Sequence, residues 1–197
     1  DTSFTKKFEF LKRVLEKEGL DAAWKHMESA STPAAGSFSY FMGEYLYDHD
    51  GFDGLKSCHP SFLPGCRGGF IKSAIATKGL VVLPELFERC KELGRRSCAH
   101  GLGHGFGQLT QFDLIKALEY CDTYVPLEKV RPICWGGVLQ EYASFAPPDM
   151  VQSENIWHPC DKLAKDEYRS VCAYVLADLV WNLQYHFDLK KTIELCA

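Results

Sequence analysis

The chain has 197 residues, with 22 lysines and arginines against 26 aspartates and glutamates, and a formal net charge of -4. With no long basic run it has no electrostatic footprint for nucleic acid or for an anionic membrane surface, and no apolar run approaches the length of a membrane span. Its 46% hydrophobic and 24% charged residues are those of an ordered, soluble chain, and one that opens on Asp1 is expected to have lost a leader or to have been trimmed.

Phe8, Leu11, Val14 and Leu15 form an apolar stripe at helical spacing that stops near Gly19, and Asp21 is placed to cap a second helix through Met27. Ser31 to Gly36 is a small-residue loop. Phe38 to Tyr47 reads as a further helix, ended by the turn-forming Asp48-His49-Asp50-Gly51. From there cysteine sets the organisation: nine residues, Cys58, Cys66, Cys90, Cys98, Cys121, Cys134, Cys160, Cys172 and Cys196, with no CxxC and so no zinc-knuckle or thioredoxin-type signature. Disulfides are the expected use, and with them an oxidising location: secreted, periplasmic or cell-surface.

Cys66, Cys98, Cys134 and Cys172 each open an apolar helical segment and stand 32, 36 and 38 residues apart, a period that points to stacked helical hairpins. Glycine follows at the third position in three of them (Gly69, Gly101, Gly137), while Cys172-Ala173-Tyr174-Val175 departs from the pattern. Cys90, Cys121 and Cys196 instead close a second kind of helix, as in Leu86-Phe87-Glu88-Arg89-Cys90. No strand alternation is persuasive anywhere.

The offset of eight between Cys58 and Cys66 and between Cys90 and Cys98, with Phe41-Met42-Gly43-Glu44-Tyr45-Leu46-Tyr47 followed by Gly51, resembles the Sel1-like repeats, a TPR-like architecture, and in particular the cysteine-rich secreted bacterial proteins built from them. The resemblance spans residues 37–197. It implies an all-α fold, a disulfide-stapled array of αα-hairpins in a short right-handed solenoid: one domain over 1–197, with capping helices over 1–30 and about four to five repeats over 37–197. It also implies a protein or peptide ligand on the concave face, and pairing of Cys58 with Cys66, Cys90 with Cys98, Cys121 with Cys134 and Cys160 with Cys172, leaving Cys196 single. The hairpin spacing admits a second register, Cys66 with Cys90, Cys98 with Cys121, Cys134 with Cys160 and Cys172 with Cys196, which leaves Cys58 single. Both registers stay open.

The chemistry concentrates in Cys98-Ala99-His100-Gly101-Leu102-Gly103-His104-Gly105-Phe106-Gly107. Each glycine inside a helix costs about 1 kcal/mol relative to alanine, so the segment sacrifices helix propensity for something else. At i and i+4 the two imidazoles share one helical face, the usual way for a helix to offer two nitrogens to a divalent transition metal, zinc or copper. Counted from the opening cysteine, His104 corresponds to Gln140 in the next repeat, with Glu141 beside it. This nominates Glu141 as third metal ligand or general base, and Lys72, the equivalent position on the other side, together with Arg67 to orient an anionic substrate. The competing reading is a non-enzymatic protein- or peptide-binding scaffold in which His100 and His104 pack or hydrogen-bond. His59 and His158, beside prolines in loops, read as solvated. No common catalytic motif is present. The repeat framework accounts for Cys98 and Gly101, and leaves His100, His104, Gly103, Gly105 and Gly107 to be explained by function.

Overall fold

The computed structural model describes residues 2–29, 34–93, 95–147, 150 and 158–179, and all regular secondary structure among them is helical. The chain divides into two compact units, Asp1–Ala74 and Ile75–Ala197. No helix among the described residues is long and apolar enough to cross a membrane.

In the first unit, α1 (Thr2–Glu18) and α2 (Leu20–Ser29) form a hairpin. Gly19 stands between them at φ +86°, a conformation that favours glycine, and its N–H donates to the carbonyl of Val14 at 3.2 Å. Of the expected stripe, Leu11, Val14 and Leu15 of α1 are buried and Phe8 is half-buried, and Ala23, Trp24 and Met27 of α2 are buried as well. Asp21 falls inside the first turn of α2 rather than ahead of it. The third helix, α3 (Ala34–Asp50), runs three residues beyond the expected Tyr47 and is followed by a 3₁₀ turn over Gly51–Ser57, so no second α-helix separates α3 from Cys58. After it comes α4 (Leu63–Lys78).

The second unit holds α5 (Leu83–Leu93), α6 (Arg95–Leu109), α7 (Leu114–Tyr124), α8 (Arg131–Phe145) and α9 (Asp166–Leu179). Asp113 caps α7, its side chain accepting from the Lys116 N–H. Helix α6 lies along α8, α7 packs on both, and α9 packs on α8.

Disulfides join Cys58 to Cys66, Cys90 to Cys98, Cys121 to Cys134 and Cys160 to Cys172. The register implied by the resemblance is therefore the one present, and the alternative is excluded because seven of its eight cysteines are already engaged in other pairs. Cys196 lies outside the described residues. Each bridge ties the segment before a helix to that helix's first turns, and closing such a loop stabilises by about 2–4 kcal/mol in the chain-entropy view. Four disulfides are consistent with an oxidising compartment.

The glycines of α6 are largely explained by packing. A Cβ on Gly103 would collide with the carbonyl oxygen of Cys134, and one on Gly137 with that of His100, so α6 and α8 cross with their backbones in contact at two reciprocal points. A Cβ on Gly105 would come within 2.7 Å of Ile75, and one on Gly107 within 3.2 Å of the Glu141 side chain. Gly103, Gly105 and Gly107, left by the repeat framework to be explained by function, thus have packing neighbours: a backbone carbonyl at Gly103, the Ile75 side chain at Gly105 and, less tightly, the Glu141 side chain at Gly107.

A polar clamp holds the other side of α8. Asp122 at the end of α7 accepts from Trp135 Nε1 (2.9 Å), Tyr168 Oη (2.6 Å) and Lys165 Nζ (2.5 Å). Burial alone would push the Asp122 carboxyl up, but these three partners together outweigh it and hold the group below its ordinary value. A carboxylate with a depressed folded-state value adds stability above its unfolded value and loses it as pH falls through the folded one.

Two outcomes follow for denaturant unfolding with the disulfides intact. Gly103→Ala should destabilise the protein by about 2–3 kcal/mol through overpacking, whereas Gly136→Ala, where the nearest atom is 3.9 Å away, should be neutral or stabilising. Asp122→Asn should cost about 1–2 kcal/mol at neutral pH, and the gap to the parent should close as pH falls below the normal carboxylate range.

Candidate functional site

The α6–α8 crossing decides where the two histidines go. His104 sits one residue after the contact glycine Gly103 and is 4% exposed, Glu141 of α8 is fully buried, and His100 is half-buried. His104 Nδ1 lies 2.7 Å from Glu141 Oε2. The carboxylate can only accept, so the imidazole proton belongs on Nδ1. His100 Nδ1 faces the carbonyl of Ile133 at 3.4 Å, again an acceptor, although the contact is long.

With both Nδ1 atoms turned toward acceptors, the two Nε2 atoms face each other 3.2 Å apart. The rings are nearly perpendicular, with centroids 4.8 Å apart. Gln140 Oε1 lies 3.1 Å from His100 Nε2. Two ring nitrogens and an amide oxygen thus converge from α6 and α8. The amide oxygen can only accept, so a proton on His100 Nε2 can be shared between it and the facing His104 Nε2. Burial, and the electrostatic interaction with His104 next to it, lower the His100 value to about 4 against the opposing bonds to Ile133 and Gln140, so the isolated His100 ring is neutral at physiological pH.

Glu141 meets His104 as the repeat register suggested, but on the Nδ1 edge, away from His100. There it is placed to orient the ring. Among the described residues no three His, Cys, Asp or Glu side chains gather as a metal-holding group. Gln140, the register equivalent of His104, joins the converging atoms; amides carry no ligand motif of their own, so nothing in the sequence marks it.

Lys72 and Arg67 belong to the first unit. Lys72 is buried there and ion-paired with Glu44 at 2.8 Å, while Ser73 donates to Asp48 at 2.6 Å. These contacts repeat the second unit's frame with different side chains. Gly43 abuts the Cys66 carbonyl as Gly103 abuts that of Cys134, and Gly69 abuts the Tyr40 carbonyl as Gly137 abuts that of His100. In this correspondence Tyr40 stands for His100, Glu44 for His104, Lys72 for Gln140 and Ser73 for Glu141. The first frame therefore carries an ion pair where the second carries imidazoles.

His59 and His158 both have local partners. His59 accepts from the Ser61 N–H at 3.3 Å and lies 3.5 Å from Glu28, and His158 Nε2 lies 3.0 Å from the Met150 carbonyl. Next to His100 and Gln140, a cleft of about 460 Å³ opens in the second unit, walled by Ile133, Val171 and Val175.

Compared with known families, curated proteins and solved structures, the chain matches none.

The buried pair gives a direct prediction. Glu141→Gln should cost about 2–3 kcal/mol in the parent but under about 1 kcal/mol in a His104→Gln background, a coupling that a double-mutant cycle of unfolding free energies measures.

Proposed function

We propose that this protein is a disulfide-stapled helical-repeat module of an oxidising compartment that binds one divalent transition ion, zinc or copper, between His100 and His104. The reading rests on the 3.2 Å separation of the two Nε2 atoms. Two bonds of 2.0–2.1 Å at a tetrahedral angle place nitrogens about 3.3 Å apart. The outer edges of the rings support the same reading, since ligating histidines characteristically donate Nδ1–H to a carboxylate or a backbone carbonyl, the roles open to Glu141 and Ile133. Gln140 Oε1 would add an oxygen donor. Bound there, such an ion supplies Lewis-acid polarisation of a water or carbonyl oxygen. Glu141 keeps the proton on His104 Nδ1 and neutralises part of the added charge.

The solenoid is part of the proposal. Its support is the joining of each segment's end to the next helix's start through cysteines, and the recurrence of one glycine-mediated crossing in both units. A second reading, a protein- or peptide-binding scaffold with the imidazoles sharing a proton, is favoured by the lack of a three-residue acidic, histidine or cysteine cluster among the described residues.

Metal stoichiometry separates the two. After dialysis against zinc and removal of loose ions, the parent should retain about one ion per chain and the His100→Ala/His104→Ala variant almost none, with helical circular dichroism unchanged. Glu141→Gln should weaken binding by about 10–100-fold while sparing stoichiometry at saturation. A parent that stays substoichiometric after supplementation would falsify the metal reading.

A further inference from the structure

The cleft beside His100 has walls that suit a particular class of ligand. Its described lining contains no lysine, arginine, aspartate or glutamate: Ile133 of α8 and Val171 and Val175 of α9 form apolar walls, Tyr174 stands at the rim with 78% of its surface exposed, and polar side chains come from His100, Gln140 and Ser170. At about 460 Å³ it lies within the range of small-molecule pockets, which combine apolar walls with a few placed polar groups.

Gly136 supplies an independent observation. It lies in the interior of α8, where glycine is unfavourable. Unlike its neighbour Gly137, it touches no backbone: a Cβ there would meet only Val171 Cγ1, at 3.9 Å. Packing therefore does not call for this glycine. What it does is leave the side of the cleft open between His100 and Val171.

We infer that the cleft binds an uncharged aromatic small molecule, whose ring lies over Gly136 between Ile133 and Val171 and whose single hydrogen-bonding group meets His100 and Gln140. An anionic ligand is disfavoured because no cation lines the described walls to replace its lost hydration. This goes beyond the metal reading and depends only on the cleft.

The test uses the full chain in the presence of chelator, with indole as probe, followed by amide chemical shifts in ¹H–¹⁵N spectra. Indole should give saturable shifts centred on residues 133–140 and 171–175. Indole-3-carboxylate, its charged counterpart, should bind about tenfold more weakly or worse. Gly136→Leu should fill the cleft and abolish saturation, and should leave zinc stoichiometry at the parent value; if that variant unfolds, Val171→Lys is expected to give the same loss. Equal affinity for the neutral and charged probes, or parent-like indole binding in a folded Gly136→Leu or Val171→Lys protein, overturns the proposal. Because the titration is metal-free, its failure is distinct from failure of zinc to bind.

Discussion

The close crossing of α6 and α8 is the constraint on which the rest of the second unit depends. Two glycines, Gly103 and Gly137, each abut the backbone carbonyl of the opposite helix. Side chains at those positions would force the helices apart by more than the length of a hydrogen bond's tolerance. His104 would then lose Glu141, and His100 would lose Gln140. The roughly 1 kcal/mol of helix propensity forgone at each glycine is offset by backbone dispersion contact and by the polar interactions that become reachable.

The disulfides act on the same crossing from its ends. The Cys90–Cys98 bridge holds the start of α6, and the Cys121–Cys134 bridge holds the start of α8, with Cys134 also providing the carbonyl on which Gly103 rests. A covalent anchor at each helix start limits sliding along the seam. Asp122, next to Cys121, adds a polar clamp through Trp135, Tyr168 and Lys165, so α7, α8 and α9 share one carboxylate. Covalent bridge and charged hydrogen bonds thus reinforce the alignment from adjacent residues.

Comparison of the two units separates frame from chemistry. The same glycine–carbonyl contacts occur at Gly43 and Gly69, yet the side chains they bring together there are Glu44 with Lys72 and Asp48 with Ser73. An ion pair of this kind is internally balanced and offers no converging lone pairs. The second frame replaces it with two imidazoles, an amide and a carboxylate, which bring two ring nitrogens and an amide oxygen together. The difference between a structural pair and a candidate ligand site lies in four side chains on a shared backbone arrangement.

Much of this was legible in the chain itself, because the determining signals are local or periodic. The stripe of Leu11, Val14 and Leu15, the stop at Gly19, the helix openings at Cys66, Cys98 and Cys134, and the shared face of His100 and His104 follow from helical periodicity and from glycine's access to positive φ. The register also brought Glu141 next to His104, since equivalent positions on neighbouring helices face one another. Tertiary structure decided the matters that depend on distances across the seam: which cysteines pair, which edge of the His104 ring Glu141 meets, that Gln140 joins the converging atoms, and that Lys72 is engaged by Glu44. A sequence specifies which residues share a helix face, but the edge of a ring that a neighbour reaches depends on interhelical approach to within an ångström, and here two glycine–carbonyl contacts set that approach.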